Sequence, residues 1–139
     1  MDKKNEIILQ ALIKNSRIPL RHISAELKIT ETAVRKRIKN LERKGILRAY
    51  TVIVDPFYLG YEGVALVGVD ATPETVVSVF EKVKELPNIR YSALTSGDHM
   101  MMFEVWCRDS KGLNAFLKKL ERTDGVTRVC PAIMLRRVE

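Results

Sequence analysis

Through the first 44 residues apolar side chains recur every three or four positions, the spacing of amphipathic helices. Asp2 can cap a first helix whose inner side carries Ile8, Leu9, Leu12 and Ile13 and which ends near Asn15. A second, shorter helix starts at Pro19, carries Leu20, Ile23, Ser24 and Leu27 on one face, and ends near Lys28 and Ile29. Thr30 is a good N-cap for a third helix over Thr30–Lys44, with Val34, Ile38 and Leu41 as its apolar stripe. Gly45 supplies the stop, since glycine enters the left-handed conformation without penalty. Two short helices joined by a tight turn describe a helix-turn-helix. The first helix is needed to bury their apolar faces. So small a three-helix unit is marginal alone, and support from dimerisation or from the rest of the chain is expected.

From Ile46 the period changes. The run ILRAYTVIVDP alternates and is β-branched, which predicts a linking strand closed by Pro56. A connection over Phe57–Glu62 follows. Gly63–Asp70 reads as a buried strand, and Thr72 as the cap of a helix with Pro73 at its first position and Val76, Val79, Phe80 and Val83 inward. Strands over Ile89–Thr95 and Met100–Cys107 flank a turn at Ser96-Gly97-Asp98. Asp109 or Ser110 caps a helix with Leu113, Phe116, Leu117 and Leu120 inward, and Asp124-Gly125 turns into a last strand, Val126–Val138, interrupted at Pro131. The class is therefore α+β. Residues 1–55 form a helix-turn-helix domain with its linking strand, and residues 56–139 a ferredoxin-like βαββαβ domain. Its antiparallel four-stranded sheet carries both helices on one face. The other face needs a cover, and self-association is the economical one.

Charge sharpens this picture. Residues 1–55 hold 13 Lys and Arg against 6 Asp and Glu, whereas residues 56–139 hold 11 of each. The whole excess of +7 thus falls in the segment with the helix-turn-helix, as a polyanion-binding module requires. The third helix turns Thr32, Lys36, Lys39 and Arg43 outward, flanked by Arg35 and Asn40. Double-stranded DNA is the partner this predicts. Thr32, Arg35, Lys36 and Lys39 are candidates for base edges, Arg and Lys being suited to guanine, and Glu31 for a cytosine amino group. Arg17, Arg21, Arg43 and Arg48 are expected on phosphates, with Thr30 at the opening of the helix. Arg37, beside the apolar stripe, is partly structural.

Other chemistry finds little support. Cys107 and Cys130 lack CxxC spacing, so a structural zinc site fails on ligand count; a disulfide between them is open but unneeded, and two reduced, buried cytosolic thiols are expected. His22 and His99 have no nearby Ser or Cys, and no GxxxxGK[ST], GxGxxG or HExxH occurs. Neither enzyme nor cofactor is predicted, and the run Met100–Met102 reads as adaptable core. The charged MDKKNEIILQ start and the lack of an ~18-residue apolar run point to a cytoplasmic protein without a membrane segment. An RNA-binding βαββαβ module would show stacked aromatics that MMMFEVWC lacks. A nucleoid or architectural protein with little sequence preference is the alternative to a site-specific regulator.

The runs NEIILQALIKN and ISAELKITETAVRKRIKNLERKGILRAYTVIVDP, followed by the βαββαβ series with TSGDHMM, resemble the Lrp/AsnC family of transcription regulators along essentially the whole chain. The most specific part is V-x-x-R-I-x-x-L-x-x-x-G-I, met by Val34, Arg37, Ile38, Leu41, Gly45 and Ile46. The resemblance implies an N-terminal DNA-binding domain and a C-terminal domain that dimerises through its sheet and assembles further, commonly to octamers. It also implies small effectors, usually amino acids, bound between dimers near the turn joining strands two and three. Thr95, Ser96, Gly97, Asp98 and His99 are the matching residues here. Two departures stand out. Lys28 occupies a turn position where the family usually has glycine, which predicts a slightly strained left-handed backbone. The family's turn runs Gly-x-aromatic-Asp, its second acid helping to hold the effector's ammonium, whereas this chain has Gly97-Asp98-His99-Met100. A buried ammonium without a carboxylate is costly. Three outcomes stay open: Asp98 substitutes, the ligand differs, or the turn serves assembly alone. A plain hairpin turn is the simplest reading of Gly97-Asp98.

Overall fold

The computed structural model describes residues 2–136 and divides into two compact units, Met1–Ile53 and Val54–Glu139. The first holds three helices, α1 (Lys3–Lys14), α2 (Leu20–Leu27) and α3 (Glu31–Arg43). Asp2 caps α1 by accepting from the Lys4 N–H, and Thr30 caps α3 by accepting from the Ala33 N–H. Ile8 and Leu12 of α1, Ile23 and Leu27 of α2, and Val34, Ile38 and Leu41 of α3 make one core. Ile13 is not part of it and stands 77% exposed, because it lies a quarter turn beyond the Ile8–Leu12 stripe.

Both helix ends in the helix-turn-helix are Schellman motifs. After α3, the Ile46 N–H donates to the Leu41 carbonyl and the Gly45 N–H to that of Glu42, with Gly45 at φ +66°. After α2, Ile29 and Lys28 donate to Ser24 and Ala25 in the same pattern, and the left-handed residue is Lys28 at φ 52°. Lysine there costs about 1–2 kcal/mol. Lys28→Gly should therefore stabilise the protein, by no more than ~1 kcal/mol once glycine's greater chain entropy is offset. A thermal melt showing no rise would mean the turn relaxes when its side chain is removed.

The second unit opens on a single 3₁₀ turn, Pro56–Leu59, and continues β1 (Gly63–Ala71), α4 (Val76–Lys84), β2 (Ile89–Leu94), β3 (Met101–Cys107), α5 (Ser110–Glu121) and β4 (Val126–Ile133). The sheet order is β2-β3-β1-β4, every pair antiparallel. One face carries Ala65, Val67, Val69 and Ala71 of β1 and Met101, Phe103 and Val105 of β3 into a core with Val79 and Val83 of α4 and Leu113, Phe116, Leu117 and Leu120 of α5. Alternation sends Leu66, Gly68 and Asp70 to the other face, where Leu66 stays 42% exposed and Tyr91 59%.

Four expectations change. Residues 46–55 carry no strand, and Ile46, Tyr50, Val52 and Ile53 are exposed. The alternation is real, but a strand needs a ladder partner, and no described residue pairs with this run. Thr72 and Pro73 form a turn ahead of α4, which begins only at Val76; the Thr72 carbonyl accepts from the Thr75 and Val76 N–H groups. Pro131 does not interrupt β4 but pairs with Val67, tolerated because β4 is an edge strand. That strand stops at Ile133: residues 134–136 carry no strand, and the rest of the expected run to Val138 lies outside the described residues.

Candidate nucleic-acid interface and effector turn

The apolar stripe of α3 fixes what its outer side presents. With Val34 and Ile38 locked in the core, Glu31, Thr32, Arg35, Lys36, Lys39 and Arg43 are all exposed, as are Arg17, Arg21, Thr30 and Arg48. Ala33, Lys36, Arg37, Lys39, Asn40 and Arg43 line an open groove along the helix. Asn40, a flanking residue in the sequence pattern, has a definite role: its Oδ1 accepts from Arg43 Nη2 at 2.8 Å and so orients that guanidinium. Arg37 has a structural task. Its Nη1 donates to Asp2 Oδ2 at 2.5 Å and to Asn5 Oδ1 at 2.9 Å, tying α3 to the start of α1. The Arg37 hydrogen bond is the main cause holding the Asp2 carboxyl below its ordinary pKa. Tyr50 donates to Glu42 Oε1 at 2.8 Å, and partial desolvation of its hydroxyl together with that bond pushes the pKa to about 12.

The turn between β2 and β3 brings Thr95, Ser96, Gly97, Asp98 and His99 together in one loop. The Thr95 N–H donates to the Met100 carbonyl at 2.9 Å and its hydroxyl to the His99 carbonyl at 2.6 Å. Gly97 sits at φ +119°, a conformation other residues rarely adopt. The His99 ring lies directly on Gly68, so close that a Cβ there would meet it at 2.3 Å. Its Nδ1 is 3.2 Å from Asp70 Oδ2 and its Nε2 is 3.5 Å from Asp98 Oδ2. Asp70 also accepts from the Met100 N–H at 2.9 Å and lies 3.8 Å from Arg128, which is 3.6 Å from Asp98. Asp70 and Arg128 escape a reading of the sequence. They are distant in the chain from the turn, and only the β1–β4 register, which pairs them directly, brings them to it.

Burial pushes the Asp70 carboxyl upward, but the Met100 N–H, His99 and Arg128 outweigh it and hold its pKa below the ordinary value. A carboxyl lowered on folding stabilises the protein above its unfolded pKa of about 3.9 and stops doing so as pH falls through the folded value. Asp70→Asn should accordingly cost about 1 kcal/mol at pH 7. The gap from the unaltered chain should narrow in urea melts as pH falls below the unfolded value of about 3.9. A gap of equal size at both pH values would show that charge is not the cause.

The cysteines cannot pair. Cys107 lies opposite Gly63 and Cys130 opposite Gly68, on strands either side of β1. Five residues along a strand span ~17 Å, against the ~7 Å limit for a disulfide. Burial raises the Cys107 thiol pKa, which leaves it unreactive. No group of three or more His, Cys, Asp or Glu among the described residues is placed to hold a metal, and no helix among them is long and apolar enough to cross a membrane.

A helix-turn-helix with a basic outer helix, carried in one chain with an antiparallel α/β domain, is the build of a DNA-binding transcription regulator. Comparison with known proteins narrows that class. A winged helix-turn-helix DNA-binding model matches residues 1–48, and the Lrp/AsnC ligand binding domain model matches residues 64–139. The chain belongs to the Lrp/AsnC family and is a transcriptional regulator of that type. It is 46% identical over 140 residues to the HTH-type transcriptional regulator LrpA of Pyrococcus horikoshii, covering 100% of this chain and 99% of that one. Among solved structures, MtbAldR is similar at a TM-score of 0.88 and 17% identity, over 100% of this chain and 97% of that one. A Neisseria meningitidis transcriptional regulator in complex with L-Met is similar at 0.80 and 22% identity, over 100% and 92%. At such identities the two structures speak for the fold.

Proposed function

We propose that the protein is a site-specific regulator that reads a pseudo-palindromic operator as a homodimer, placing two copies of α3 in successive major grooves. Half-sites would lie about one helical turn, ~10 base pairs, apart. The carrying observation is that all ten residues picked out for DNA are exposed while α3 is pinned by its buried stripe. Thr32, Arg35, Lys36 and Lys39 read base edges, with Glu31 on a cytosine. Arg17, Arg21, Arg43 and Arg48 set the register on phosphates. The dimer closes on the open face of the sheet, where exposed Leu66 and Tyr91 lie. The relatives being regulators, no reaction is assigned, and the place of action is the cytoplasm.

The same reading gives the β2–β3 turn a small effector. The ligand-binding domain match and the L-Met complex of the Neisseria regulator support an amino acid. Asp70 is committed to the Met100 N–H and His99, so the carboxylate offered to an ammonium is Asp98, 83% exposed in its side chain and held only at the longer distances of 3.5 Å to His99 and 3.6 Å to Arg128. Selection from random duplex DNA at ~150 mM salt, followed by footprinting, tests the reading. A recovered pseudo-palindrome protected about every helical turn supports it. No motif, with binding that vanishes as salt rises, would leave an architectural DNA-binding protein. Amino acids added to the same assay test the effector.

A further inference from the structure

The second unit is balanced in charge as a whole, but its cations are not evenly spread. An open groove of about 700 Å³ runs between α4 and α5, floored by Val83 and Leu120. Lys82 of α4 and Lys118, Lys119 and Arg122 at the end of α5 line it, against a single acid, Asp124. None of these four cations has a carboxylate within 4.0 Å among the described residues. Most of the unit's other cations have a fixed partner: Lys84 binds Glu81 at 2.6 Å, Arg128 lies between Asp70 and Asp98, Arg90 donates to the Tyr61 hydroxyl at 3.2 Å and Arg108 to the Leu59 carbonyl at 3.0 Å.

Cations at a helix C-terminus are favoured by the helix dipole, typically by about 0.3–1 kcal/mol. That accounts for a lysine in each last turn. It does not account for four unpaired cations converging on one groove, where like charges repel and Asp124 alone stands against them. A polyanion would neutralise them, and the protein already binds one. Lysine and arginine without fixed hydrogen-bond partners suit the regular phosphate backbone rather than base edges.

We propose that the α4–α5 groove is a second DNA-binding surface, which takes the phosphate backbone of duplex DNA without regard to sequence. The regulator then holds DNA at two places, one specific at α3 and one purely electrostatic.

The test compares the unaltered chain with a variant carrying Lys82→Gln, Lys118→Gln, Lys119→Gln and Arg122→Gln. Both are titrated with duplexes of ~20 and ~100 base pairs containing the same operator, across ~50–300 mM salt. A thermal melt first confirms that the variant is folded. On the long duplex the slope of log affinity against log salt should become shallower by about one for each phosphate no longer neutralised, and affinity at ~100 mM salt should fall at least tenfold. A second variant carrying Lys82→Arg, Lys118→Arg and Lys119→Arg should keep the slope of the unaltered chain, since charge alone matters here. A reduced slope on the short duplex as well would support the proposal and place the second surface within one operator length. Unchanged slopes on both lengths would overturn it and leave the groove to an acidic protein partner. Weaker binding at an unchanged slope would overturn it too, because it would reflect assembly rather than phosphates. Failure of the unaltered chain to bind either duplex would remove this proposal and the α3 reading together.

Discussion

Replacing Lys36 by alanine is expected to weaken operator binding by about 1–3 kcal/mol, roughly 5- to 150-fold, while barely changing affinity for random duplex. The reasoning starts inside the protein. Val34 and Ile38 are buried, so α3 cannot rotate without exposing them, and the direction of Lys36 is fixed by packing on the helix's far side. Lys36 is exposed in the middle of the groove-lined face, and on the proposed docking it is expected at base edges rather than at the flanking phosphates. Arg43 is the control. Held by Asn40 at the end of α3, it is placed for a phosphate. Arg43→Ala should weaken operator and random duplex alike and lower the salt slope by about one. Competition titrations on the two DNAs separate the roles. Equal losses for Lys36→Ala on both would move it to the phosphate-binding set, and the base-reading task would fall to Arg35 and Lys39.

Much of this is legible in the sequence alone, for a local reason. A helix that packs on a core writes its period into the sequence, so the three N-terminal helices and the inward residues of α4 and α5 can be read directly. Caps are nearly as legible, since Asp2, Thr30 and Asp109 act on N–H groups two or three residues away. Long-range events are not. The Arg37–Asp2 pair joins residues 35 apart, and the Asp70–Arg128 pairing depends on which strands are neighbours and in what register. The part of the β2–β3 turn's electrostatics that comes from Asp70 and Arg128 is therefore invisible in the sequence. The strand expected over 46–55 fails for a related cause: alternation reports a chain able to pair, and pairing is a property of two segments. Lys28 shows the reverse case, where a residue that departs from the family's usual glycine still takes the left-handed conformation that the turn demands.

Truncating Ile23 to alanine should weaken DNA binding tenfold or more while leaving the ligand-binding unit folded. Ile23 is fully buried and is one of only seven buried side chains in this core among the described residues. Loss of an isoleucine from such a site costs about 2–5 kcal/mol. A unit of about 50 residues has roughly 3–8 kcal/mol to lose, so most or all of its stability is forfeited. The second unit has its own core around Phe103, fully buried between the sheet and the helices. The protein supplies a convenient reporter, because its single tryptophan, Trp106, lies on β3 of that unit. Urea titration should show helical circular dichroism lost at low denaturant, with Trp106 fluorescence still reporting the higher midpoint of the unaltered chain. Operator affinity should fall in proportion to the folded fraction of the first unit, tenfold or more, and added operator should shift the early transition back. Should both signals collapse together at a lowered midpoint, the two units fold as one cooperative system, and the small helical unit owes its stability to the rest of the chain rather than to its own core.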